Sequence, residues 1–143
     1  MDQPVGKTKH GELTLDEIAG LQPGMSELMI ALAHRTNVMY HACKAGNWQL
    51  GLFQLRGSRK ILNNANLTRP KYKEALAQFA KDHLAPLEEA IKKKSWEDFD
   101  RLMASMIEAS DRYHADWGYA YIRYRVPEEP PQGYFMPPPE EGR

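Results

Sequence analysis

Residues 42–55 read ACKAGNWQLGLFQL, from Ala42 through Gly46 and Asn47 to Leu55, and their reading decides the fold. Gly46 stops a helix, because a residue without a side chain accepts the left-handed turn in which helices commonly end. Asn47 starts another, since its side-chain oxygen receives the free N–H groups of a new first turn. Two helices joined so tightly form a helical hairpin and run antiparallel.

Upstream, Met25, Leu28, Met29, Leu32, Thr36, Met39, Tyr40 and Cys43 share one face of a helix over about 23–45, with Pro23 suited to its first turn. Downstream, a second helix covers about 48–64 and is apolar on two sides. Leu50, Phe53, Gly57 and Ile61 form one side; Trp48, Leu52, Leu55 and Leu62 form roughly the opposite one. A surface helix needs a single buried stripe. The second set therefore calls for cover from the N-terminal arm, the C-terminal tail or another subunit. Asn63-Asn64-Ala65-Asn66 reads as a loop.

A third helix, about 68–94, carries the stripe Tyr72, Leu76, Phe79, Ala80, His83, Leu87, Ala90 and Ile91. Pro86 removes a backbone donor inside it and predicts a bend near Asp82. Ser95, with Asp98 three residues on, caps a fourth helix over about 96–118. Its stripe is Phe99, Leu102, Met103, Met106, Ser110, Tyr113 and Trp117. Six prolines between Pro127 and Pro139 then forbid helix, and Tyr134, Phe135 and Met136 offer an apolar anchor, so Val126 to Met136 should pack on the helices. At the other end, residues 1–13 read as a flexible arm, followed by a helical turn through Leu15, Ile18 and Leu21 capped by Thr14 or Asp16. The fold expected is all-α: an antiparallel four-helix bundle over 23–125, an N-terminal arm over 1–22 and an extended proline-rich C-terminal tail over 126–143.

The 143 residues suffice for one core and not two. Lys plus Arg balances Asp plus Glu at 19 each, which argues against nucleic acid or an anionic membrane as partner. No apolar run approaches the ~20 residues that span a bilayer, and residues 1–12 hold no hydrophobic leader core. One cysteine, Cys43, permits no internal disulfide. A cytoplasmic chain fits this pattern, as does a chain whose leader has been removed.

Two further stretches carry a resemblance. Ala45-Gly46-Asn47-Trp48-Gln49-Leu50 is similar to the AGNW-x-L turn of cytochrome c′-like c-type haem bundles. Ser110-Asp111-Arg112-Tyr113-His114, followed by Tyr121-Ile122 and Val126-Pro127, resembles the segment where that family carries C-x-x-C-H. Pro86 to Ile91 and Trp96 to Phe99 look like its third and fourth helices, so the likeness spans about 24–135. Thioether attachment needs two thiols, and Ser110 and Tyr113 stand in their places, so covalent haem is excluded on chemical grounds.

The resemblance makes His114 the counterpart of the axial ligand, with non-covalent haem or a small apolar ligand as what the former cofactor cavity would hold. Thr36, His83, Ser110, Tyr113 and His114 are the residues expected to line it. His83, central in its stripe, needs a hydrogen-bond partner, for which Tyr40, Thr36, Ser110 and Tyr113 are candidates. A satisfied core histidine competes with a ligand contact there. The alternative function is a structural or interaction protein whose cavity is refilled by side chains. His34 and His41 lie on the outer face of the first long helix, too far apart to chelate one ion. Glycine-rich phosphate loops and nucleophile elbows are missing, and Cys43 faces apolar neighbours, so no catalytic residue is assigned. The doubled apolar face favours a homodimer through the first two long helices.

Overall fold

A computed structural model describes residues 4–140. The chain is mostly helical, with one small sheet. Strands β1 (Val5–Thr8) and β2 (Gly11–Thr14) pair antiparallel, Val5 opposite Thr14 and Thr8 opposite Gly11. The expected flexible arm is thus corrected: from Val5 onward it is a hairpin. Thr8 Oγ1 accepts from the His10 N–H at 3.1 Å and pins the turn, while Lys7 and Glu12 pair across the strands at 3.1 Å. Most of its side chains are polar or exposed, so no hydropathy pattern announced it.

Helix α1 (Leu15–Gly20) begins at Thr14, whose hydroxyl accepts from the Glu17 N–H while the Glu17 carboxylate accepts from the Thr14 N–H. Helix α2 (Met25–Lys44) ends where Gly46 takes φ +83°. Asn47 then caps α3 (Trp48–Thr68) by accepting from the Leu50 N–H at 3.2 Å. The expected loop at 63–66 is instead the last turn of α3, because Ala65 is fully buried there and burial outweighs the weak helix propensity of asparagine.

A 3-10 turn (Pro70–Tyr72) leads to α4 (Lys73–Phe79), a π-helical segment (Ala80–Leu84) and α5 (Ala85–Lys92). The predicted third helix is therefore continuous in course but broken in hydrogen bonding just ahead of Pro86. The Ala85 N–H reaches back five residues to the Ala80 carbonyl, and the proline nitrogen has no hydrogen to give. The extra residue places Leu84, not His83, in the interior, and His83 is only half-buried. Ser95 caps α6 (Trp96–Asp116) through the Asp98 N–H.

The core joins Met39 and Cys43 of α2, Leu55 and Leu62 of α3, Leu84, Leu87 and Ile91, and Phe99, Met103 and Met106 of α6. Leu55 and Leu62 thus face the interior, with Trp48 and Leu52 packed beside them. This reverses the sequence reading of α3: the set thought to need extra cover is the core set, and Phe53 on the other side is 65% exposed. Gly51, Ser58 and Ala65, seven apart and buried, explain it by making room for α2. A Cβ on Gly51 would lie 2.4 Å from Cys43 Sγ.

Candidate functional site

Of the five residues expected to line a cofactor cavity, Ser110, Tyr113 and His114 share α6, and His83 is linked to Tyr113 through Phe79. Thr36 is buried and spends its hydroxyl on the Leu32 carbonyl one turn back, at 2.8 Å. Ser110, Tyr113 and His114 lie half-buried on the last turns of α6. His83 and Tyr113 both meet Phe79, whose ring centroid lies 5.1 Å from His83 and 5.5 Å, edge to face, from Tyr113. Burial pushes the His83 imidazole below its ordinary value; Asp82 opposes and Arg112 adds to this. The Tyr40 hydroxyl, a candidate partner for His83, donates instead to Asp100 Oδ1 at 3.3 Å.

His114 keeps one unusual feature. Its Nδ1 is buried without a hydrogen-bond partner. Neither of two grooves on the surface includes any of the five residues. One, of about 330 Å³, runs between α3 and α4 along Leu62, Asn66, Leu76 and Ala80; the other, of about 180 Å³, lies near Pro23, Leu28 and Leu67. Among the described residues, no three His, Cys, Asp or Glu side chains gather as a metal site. Burial pushes the Cys43 thiol up to about 12, so it stays protonated and unreactive.

The best-organised polar surface lies elsewhere, on the outer face of α2, where the C-terminal tail straps the helix. Asp111 anchors the strap at its root. It accepts from Arg125 Nη1 at 2.7 Å and from the Tyr124 N–H at 3.1 Å, with Arg123 at 3.9 Å, and these hold its carboxyl below the usual range. The Tyr124 hydroxyl then donates to Asn37 Oδ1, and burial raises the phenol to about 12. His41, buried, donates from Nε2 to the Pro127 carbonyl at 2.8 Å. After a loop through Pro130, Pro131 and Gly133 (φ +89°), the chain returns to α2. Tyr134 meets His34 with ring centroids 5.5 Å apart, Met136 is buried against Val38 and Ala42 with Leu50 beside it, and the Pro137 carbonyl faces Asn47 Nδ2.

In the tail, Val126 packs against the main core and Met136 is buried against α2, while Phe135 is 81% exposed. His41, expected on the outer face of the first long helix, is covered there by the tail. What sequence reasoning missed was the pairing. Asn37, His41 and His34 share a helical face, and the matching Tyr124 and Tyr134 are nearly 90 residues or more away in the chain. Among the described residues, no helix is long and apolar enough to cross a membrane. No family model, curated protein or solved structure matches the chain.

Proposed function

We propose that the chain is a non-enzymatic interaction protein. In this reading α2, α3, the α4–α5 run and α6 form an antiparallel four-helix bundle of the cytochrome c′-like kind, whose cofactor space its own side chains have refilled. It acts in the reducing cytoplasm as a homodimer associating through α2 and α3. The observation that carries the reading is the packing of Phe79 edge to face against Tyr113 and, tilted, against His83. A porphyrin needs a flat slot beside its axial histidine. Here the residue before His114 is a tyrosine packed against a phenylalanine, and Ser110 and Tyr113 offer no sulfur. These residues do not fit covalent haem.

Self-association is supported by apolar surface along the strap side. Ile30, one turn before His34 on the same face of α2, is 71% exposed, and Phe53 and Phe135 are exposed as well. A second reading, a binding module taking a small apolar ligand or non-covalent haem beside His114, is favoured by the unpartnered Nδ1 alone.

Native mass spectrometry of the purified full chain separates the two. A dimer mass without retained ligand, and no Soret band on haem titration, is the expected result. A Soret band that is lost in His114→Ala would overturn the interaction reading in favour of the second. A monomer at every concentration would remove the homodimer.

A further inference from the structure

We infer that the groove between α3 and α4 is a binding site for a small, elongated carboxylic acid. The acid is apolar in its middle and carries a hydrogen-bond donor at the end away from its carboxylate. The site is separate from the His114 region and needs no second copy of the chain.

Its walls follow from helical spacing. Arg59, Leu62 and Asn66 recur at three and four residues along α3. Leu76, Ala77, Ala80 and Lys81 recur in the same way on the facing run. Where two helices pack, side chains of ordinary size fill the seam. Ala77 and Ala80 stop at Cβ, and the trough of about 330 Å³ is the room they leave. That volume lies at the small end of ligand pockets, so it suits a ligand built on one ring. Ala80 and Lys81 also open the π-helical segment, a local feature often placed at binding sites.

Three polar side chains define the ligand. Asn66 lines the groove, and its Oδ1 is closed off from water with no hydrogen-bond partner. Native folds seldom leave such an acceptor unserved, because it gives up its hydrogen bond to water on burial. The terminal torsion of asparagine is broad, so a small turn of the amide presents Oδ1 to a donor in the groove. The other two are cations. Lys81 is exposed and has no carboxylate partner among the described residues. Arg59 gives Nη2 to Glu88 at 3.0 Å and has further N–H groups to donate. Opposing acid is scarce. Helix α3 contains no Asp or Glu, and both carboxylate oxygens of Asp82 accept from Gln78 Nε2 at 2.8 Å.

The order along the groove fixes the ligand's polarity. After the 3-10 turn α4 runs back along α3, which sets Leu76 toward the Asn66 end and Lys81 toward the Arg59 end. Seven residues of α3 separate Arg59 from Asn66, a rise of ~10 Å. A carboxylate at the cationic end and a donor at the other leave an apolar span between them. That span meets Leu62, Leu76 and the two alanines.

The test titrates para-hydroxyphenylpropionate, whose phenol and carboxylate lie at opposite ends of one ring, into the full chain followed by NMR. Saturable shifts are expected at the Leu62 and Leu76 methyls and the Asn66 side-chain amide, with half-saturation on the order of 1 mM. Phenylpropionate, which lacks the donor, should bind about threefold to tenfold more weakly. The methyl ester of the probe, which lacks the charge, should lose about threefold, and added salt should narrow that gap. Ala77→Met fills the groove from an exposed position and should abolish the shifts. Asn66→Leu should bind the two acids equally and unfold at higher urea, because the orphaned acceptor is gone. A merely structural asparagine gives neither result. Should that variant not fold, the two acids compared on the wild-type chain decide. Equal binding of both acids by the wild-type chain, or no saturable shift at these residues, overturns the inference. Shifts centred on His114 overturn it too, in favour of the second reading above.

Discussion

Met39 and Cys43 look from α2 into a core of Leu55, Leu87, Phe99 and Met103, whereas Val38, His41 and Ala42, on the opposite side, look onto extended chain. Both sides are buried, yet they are held differently. The inner side is apolar throughout and is covered by helices whose backbone needs are met internally. The outer side is covered by a strap whose backbone must find partners, and it finds them in His41, Asn47 and Asp111. One covering therefore fails as a unit, while the other can open in pieces.

The largest test of that contrast is Phe99→Ala. Phe99 is fully buried, and its ring meets Tyr40, Trp48 and Trp96. Its truncation leaves a cavity at the centre of the inner side and should cost about 3–5 kcal/mol in urea unfolding, with all probes reporting one transition. A loss below 1 kcal/mol would mean that the inner side is not the cooperative unit. Next comes Gly51→Val, aimed at the seam between α2 and α3. The added side chain meets Cys43 Sγ and the Met39 carbonyl, so the helices must separate, at about 1–3 kcal/mol in the same assay. Unchanged stability would show that the seam is looser than its glycine implies.

These two sites also show where the sequence was readable. The caps at Thr14, Asn47 and Ser95 were legible because capping is local chemistry, decided within three residues. The orientation of α3 was not. Its two apolar sides look equivalent in a helical projection, and only the small residues Gly51, Ser58 and Ala65 mark where α2 approaches. The π segment was foreshadowed by Pro86, but its consequence, one added residue that moves His83 off the interior, cannot be read from a proline. Of the expected site, Thr36 and His114 are satisfied or orphaned by contacts that no periodicity reveals.

Met136→Ala probes the outer side alone. Because Met136 packs on Val38 and Ala42, apart from the main core, the loss should be about 2 kcal/mol or less, and it should be local. Proton NMR would show the His34–Tyr134 ring contact weakened while the Tyr124–Asn37 contact persists. Loss of both together would mean that the strap, too, is one cooperative piece.

The smallest effect, and the one that identifies the strap's root, is acid release. Arg125, then the Tyr124 N–H, hold the Asp111 carboxyl below its ordinary 3.8 in the folded chain. In the unfolded or detached state it takes up its proton at the ordinary value, so the free state binds protons first as pH falls. The anchoring contribution is therefore complete above about pH 4 and disappears as pH drops through the lowered folded value. Tyr124 should thus keep its buried signature from pH 7 to 5 and begin to lose it only below the carboxylate range. Asp111→Asn should show the loosened strap already at pH 7 and no further acid step, and added salt should weaken the wild-type anchor because Arg125 is largely exposed. An acid step that survives in Asp111→Asn would move the root of the strap to another carboxylate.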